Sequence, residues 1–180
     1  MAGTMAARLS RLHALIDHPR TGDAEGAAAQ RMLDRILARS RPPQNAGDRT
    51  YGQRHHRVGR HADLTRIAEM VREEIALARL VFSTPGQPGL PAESDPIADA
   101  PAGIVYTVST PHDSEVVITL ENVPQAWGWV SEYGVETASS ALRALVDELA
   151  DLLNGYNRDG VEIGKRFFGR VRVGDRTLVW

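Results

Sequence analysis

Residues 157–175, NRDGVEIGKRFFGRVRVGD, hold the chain's single lysine, two adjacent phenylalanines, four glycines and four arginines. Glycines beside basic residues suggest a phosphate loop. Such a loop needs them ahead of a helix, so that free N–H groups point at the anion. Here they follow a helical pattern and precede a strand-like run, which is the wrong polarity. On a strand, period-two alternation puts Phe168, Arg170 and Arg172 on one face and Phe167, Val171 and Val173 on the other. The first set is an aromatic and arginine surface of the kind that stacks on and neutralises single strands. The plain alternative is that Phe167 and Val171 fill a core while the arginines are solvated.

Three other stretches carry chemistry-bearing side chains. RHHRVGRH offers His55, His56 and His61, with Asp63 as the nearby carboxylate. The chain has no cysteine, and Arg54, Arg57 and Arg60 would repel a cation, so a zinc site is disfavoured. Arg49, Arg54, His55, His56, Arg57 and Arg60 read instead as a basic arm for nucleic acid or an acidic partner, or as a plain linker. TPHDSE places His112, Asp113 and Ser114 in succession, but a triad needs convergence in space rather than in sequence, so these belong to a turn. VPQAWGWVSEYG gathers Trp127, Trp129 and Tyr133 with no cation nearby, as a lid on the core or an anchor for a protein partner. No set combines nucleophile, base and oxyanion donor. No catalytic residue, metal or cofactor is assigned, and a hydrolase or transferase is the third choice among functions.

The elements that must position these residues follow from periodicity. Met5, Leu9, Leu12 and Ile16 stand at steps of three and four, a helical stripe over 4–18. After the HPRTGD break, with Asp23 as N-cap, a second helix over 24–39 aligns Ala28, Ala29, Met32, Leu33, Ile36 and Leu37. A third begins near Asp63 with Leu64, Ile67, Val71, Ile75 and Ala78. IVYTVST and EVVITLE, separated by PHDS, predict a hairpin. A fourth helix carries Leu142, Leu145, Val146, Leu149, Leu152 and Leu153, and Asn154-Gly155 has the look of its C-cap. FFGRVRV and TLVW around Gly174-Asp175 give a second hairpin.

This reading is α+β: an N-terminal helical hairpin (1–40), a basic linker (41–61), and an αββαββ antiparallel-sheet domain (62–180) with helices on one face. Residues 83–103 spend five of ten prolines and read as a mobile loop. The two hairpin helices bury too little alone, so their apolar face should pack on the α+β domain or on a second copy as a homodimer.

The net charge of −2 conceals an uneven distribution. Residues 35–61 hold seven arginines against Asp48 alone, whereas 80–142 hold eight acidic residues and no lysine or arginine. Such asymmetry speaks of partners rather than fold. No run approaches the about 18 apolar residues of a membrane helix, and no secretory signal stands at the N-terminus, so the expectation is a cytoplasmic protein.

LNGYNRDGVEIGKRFFGRVRV resembles the C-terminal signature of a small α+β domain of unknown function from phage and mobile-element proteins. Tyr156, Asn157 and Asp159 match its Tyr-Asn-x-Asp motif, and Phe167, Phe168, Gly169 and Val171 its following strand. The likeness covers about 50–180. VEIGKRFF departs from the family's Ser/Asp-rich link. RLHALIDHPRTGDAEGAAAQRMLDRIL is similar to a helical family of the same setting, also of unknown function. The expectation is an accessory protein of a phage or mobile element that binds a host or phage protein or a nucleoprotein, inhibition of a host defence system being one form. Direct nucleic-acid binding through the arginine arm with Arg170 and Arg172 is the alternative.

Overall fold

The computed structural model describes residues 2–39, 50–51, 62–82, 95–159 and 166–179. Two helices, α1 (Ala2–Asp17) and α2 (Asp23–Arg39), form the expected hairpin. Their turn is held by the Thr21 hydroxyl, which donates to the Leu15 carbonyl at 2.7 Å. Leu12, Ala28, Ala29, Met32, Leu33 and Ile36 are buried. Leu37 faces solvent instead. At 3.6 residues per turn it falls past the edge of the arc centred on Ala28 and Met32, whose other flank is filled by buried Arg31 and Arg35.

The strand β1 (Thr50–Tyr51) lies inside the stretch read as a linker and pairs antiparallel with β6 (Arg158–Asp159). Helix α3 (Leu64–Phe82) starts from Asp63, whose Oδ1 accepts from the Arg66 N–H at 2.7 Å. Its buried arc is wide (Ile67, Ala68, Met70, Val71, Ile75, Leu77, Ala78) because it packs against α2 on one side and the sheet on the other. The apolar face of the hairpin is thus spent within the chain, and one continuous core runs from Leu12 to Val173.

Where a mobile loop was expected, residues 95–103 are packed turns. Asp95 and Ile97 are fully buried. Oδ1 of Asp95 accepts from the N–H groups of Ile97 and Ala98 at 2.9 and 3.1 Å, and Arg8 of α1 pairs with Oδ2. A buried carboxylate with three donors fixes the chain despite its prolines. The remainder of that proline-rich stretch, 83–94, lies outside the described residues.

The main sheet has four strands in the order β2 (Val105–Ser109), β3 (Glu115–Glu121), β7 (Phe168–Val173), β8 (Arg176–Val179). Both expected hairpins are present, the second turning at Gly174 with φ of 54°. The α+β class holds, and the αββαββ order holds for the main sheet and its two helices with further short elements inserted, but the sheet is mixed rather than antiparallel: β3 and β7 run parallel, Ile118 opposite Val171 and Leu120 opposite Val173. The reason lies in the connection. From β3 the chain runs through a short turn α4 (Gln125–Gly128), a small hairpin of β4 (Trp129–Glu132) and β5 (Val135–Ala138), and α5 (Ser140–Asn154). That crossover helix returns the chain to the starting end of β3, so the next strand runs alongside it.

Helices α3 and α5 cover one face of the sheet, formed by Val108, Val116, Ile118, Leu120, Val171 and Val173. Helix α5 is capped by Ser139, whose hydroxyl accepts from the Leu142 N–H at 3.0 Å, and its six expected apolar residues are all buried. It ends at Gly155 with φ of −58°, right-handed rather than the left-handed cap that Asn-Gly suggested. Along β2, arginines of α3 occupy backbone carbonyls: Arg72 donates to Val108, and Arg79 to Ile104 at 2.8 Å and Pro101 at 3.1 Å.

Candidate functional site

Strand alternation sorts β7 as its residue types require. Phe167 and Val171 enter the core, while Phe168, Arg170 and Arg172 stand on the face opposite the helices. Phe168 is 66% exposed, a large apolar ring in water. Nη2 of Arg170 pairs with Oε1 of Glu115 at 3.0 Å, and Nη2 of Arg172 lies 3.9 Å from Oδ1 of the exposed Asp175. Register places Glu115, Val117 and Thr119 of β3 opposite Phe168, Arg170 and Arg172. Arg170 is thus held against β3 by its carboxylate, while Arg172 is about a third exposed with its Nε buried.

The aromatic cluster of 127–133 divides in two. Trp127 and Trp129 are partly buried against the core. The Trp129 ring lies under the Arg176 guanidinium, 4.0 Å from Cζ to the ring centre. Arg176 also donates through Nη1 to Oε2 of Glu136 at 2.7 Å, while Gln125 donates to its Oε1. The Trp127 carbonyl accepts from the Ser139 hydroxyl at 2.7 Å. These contacts fix the base of the β4–β5 hairpin. Its tip is different. Tyr133 is entirely exposed and left-handed, φ of 53°, and is followed by Gly134 at φ of 79°. Two successive positive φ values make the tight turn that suits hairpin twist, but Asn, Asp or Gly is the usual occupant of the first position. Val130 and Val135 are exposed beside it.

Two of the residues that carried the resemblance, Tyr156 and Asn157, are buried and hydrogen-bonded within the fold. The Tyr156 hydroxyl donates to Oε1 of buried Glu74, which also accepts from Nε of Arg31 at 3.0 Å. The Asn157 amide accepts from the N–H groups of Arg166 and Phe167 at 2.8 and 3.3 Å and donates to the Phe167 carbonyl at 2.8 Å. One side chain therefore staples the start of β7 to the end of α5. Asp159 sits in β6, opposite Thr50.

Sequence reasoning missed the buried ion pairs that fasten the helical hairpin. Arg8 pairs with Asp95, Arg31 with Glu73 and Glu74, and Arg35 with Glu148 at 2.8 Å. A signal existed: Glu74 falls between core residues Val71 and Ile75, and Glu148 between Leu145 and Leu149. Burial pushes the Asp95 carboxyl above its ordinary value, against the opposing pull of Arg8. Burial likewise pushes the Tyr106 phenol up to about 12, with the Arg79 guanidinium, 5.2 Å over the ring, pulling the other way.

Arg49, Arg54, His55, His56, Arg57, Arg60 and His61 lie outside the described residues, and both ends of their stretch are tied down. Thr50–Tyr51 pairs with β6, and the Ala62 carbonyl accepts from Arg166, two residues before Phe168. Asp63, the carboxylate nearest those histidines, is engaged in capping α3. His112, Asp113 and Ser114 form an exposed turn, with the His112 carbonyl accepting from the Glu115 N–H at 3.1 Å. Among the described residues no helix is long and apolar enough to cross a membrane. Comparison with protein-family models, curated proteins and solved structures gives no match.

Proposed function

We propose that this chain is a non-catalytic binding protein that grips a protein partner through the tip of the β4–β5 hairpin. The observation that carries this is Tyr133, an aromatic ring wholly in solvent, in a left-handed conformation that a tyrosine seldom adopts. Val130 and Val135 extend the apolar tip, and the Trp129–Arg176–Glu136 stack holds its base still. A rigid mount lowers the entropy lost when the tip is seated. Tyrosine is a frequent hot-spot residue because it buries much area with few rotatable bonds. The span 80–142 has eight acidic residues and no basic one, which favours a basic protein surface with an apolar slot.

In the setting suggested by its sequence likeness, the role would be that of a phage or mobile-element accessory protein acting on a host or phage protein in the cytoplasm, inhibition of a defence system being one form. The test is affinity capture from a cell lysate with immobilised protein, with and without nuclease, comparing the unmodified chain with Tyr133→Ser. A captured protein that survives nuclease and is lost with Tyr133→Ser supports the reading. Equal capture by the variant overturns it.

A further inference from the structure

We infer that the α1–α2 helical hairpin is a latch: it leaves the α+β body in a partial opening that uncovers one side of α3 while the four-stranded sheet stays folded. The inference is independent of the grip proposed for the β4–β5 tip. It rests on how the seam between hairpin and body is made. The line of α2 that meets the body is Ala24, Ala28, Arg31 and Arg35, at steps of four, three and four. Two alanines and two arginines bring little apolar surface to the contact. Leu33, also buried, stands on the opposite side of α2 and so packs towards α1. At one end of the seam the helices part around an open slot of about 250 Å³, lined by Ala24 and Ala28 on α2 and by Ala76, Leu77 and Leu80 on α3. Leu80 is left 68% exposed. Side chains with no atoms facing them forfeit the dispersion contacts of a packed core.

Charge fills the rest of the seam. Arg8 reaches Asp95, Arg31 reaches Glu73 and Glu74, and Arg35 reaches Glu148; in each pair the arginine comes from the hairpin and the carboxylate from the body. Burying such pairs returns about as much as their dehydration costs. The Nε and Nη1 of Arg35 are buried with no hydrogen-bond partner, a further cost of closure. On opening, these groups regain water. The sheet meanwhile keeps its own core, since Val116, Ile118, Leu120 and Val171 lie under α3 and α5. Two helices of this length are marginal alone, so they lose order as they leave. A weak seam against a separately packed body opens below the free energy of global unfolding. The surface uncovered is the side of α3 that carries Leu77, with the carboxylates of Glu73 and Glu74 relieved of Arg31.

The test is amide hydrogen exchange of the full chain, read by mass spectrometry at increasing urea below the unfolding transition. Amides of α1 and α2 should exchange together, at least about a hundredfold faster than those of β3 and β7. Their exchange should rise with urea more gently than that of the sheet, because a partial opening exposes less surface. Val171→Ala weakens the body in the open and closed forms alike, so it should speed the sheet amides and leave those of α1 and α2 unchanged. Arg35→Met removes a partner of Glu148 that only the closed form has, so it should speed both sets. Tyr133→Ser should exchange as the unmodified chain does, which separates this proposal from the previous one. Hairpin amides that share the rate and urea dependence of the sheet overturn the inference. So does fast exchange indifferent to urea, which is fraying, or a Val171→Ala effect that moves both sets alike. The unmodified chain decides the first two outcomes, whatever becomes of the variants.

Discussion

The hydroxyl of Tyr156 reaches Oε1 of Glu74 at 2.5 Å, across 82 residues of sequence, and Arg31 donates to the same oxygen. Three elements therefore meet on one buried carboxylate: α2, α3 and the end of α5. Tyr156→Phe keeps the ring and removes only this donor. Hydrogen bonds to charged groups contribute about 1.5–3 kcal/mol, so the variant should lose about 2 kcal/mol in urea unfolding with an unchanged m-value. A loss below about 0.5 kcal/mol would show that the bond does not matter.

Arg35 and Glu148 form a second pair, both less than a tenth exposed. Removing one member of a buried pair costs about 3–5 kcal/mol, while replacing both with apolar residues of similar size is often neutral. Arg35→Met should therefore destabilise by about 3 kcal/mol, and Arg35→Met with Glu148→Leu should recover most of that. Denaturant melts of the two singles and the double decide it. Additive losses would contradict the pairing.

Asp95 gives a pH dependence of unusual sign. Its carboxyl is raised above 3.8 in the fold, so between that value and the folded one the native state holds more protons than the unfolded state. Stability from this group falls as pH rises through that window and is regained on acidification. Asp95→Asn removes the titration while keeping a side-chain acceptor for the Ile97 and Ala98 N–H groups. The stability of the unmodified chain relative to Asp95→Asn should accordingly improve from pH 7 towards pH 4. Thermal melts over that range check it, and a difference that moves the other way refutes the sign.

Asn157 meets three backbone groups at the start of β7. Asn157→Ala leaves them without these partners, and should cost about 2–3 kcal/mol. Hydrogen exchange should accelerate first at Arg166–Phe168, the end of the strand that presents the exposed ring. If exchange there stays as slow as in the unmodified chain, the staple is not what holds the strand.

Much of this was legible because burial imposes a period. The stripes of α3 and α5 and the alternation of Phe167 with Phe168 were readable without coordinates. The parallel pairing was not, although EVVITLE held a hint. Val116, Val117 and Ile118 are consecutive and all buried, as in a central strand covered on both sides, rather than strictly alternating. The β4–β5 hairpin escaped because Tyr133-Gly134 is not one of the favoured turn pairs. The aromatic candidates could be named, but not sorted, since Trp129 stands at the base of the β4–β5 hairpin and Tyr133 at its tip, and that hairpin was not foreseen. The buried ion pairs were missed because Glu74 and Glu148 look like solvent-facing charges until the helices on either side are known.

The parallel marriage of β3 to β7 also sets an order of events in time. Residues 122–167 separate the two central strands, so their pairing must close a far longer loop than the β2–β3 hairpin does. The β2–β3 hairpin is a local pairing, and until β7 arrives its β3 edge has no partner. A nascent chain stalled between α5 and β7 is the species most exposed to capture by a stray strand, so refolding yield should depend on protein concentration even where the finished fold is stable.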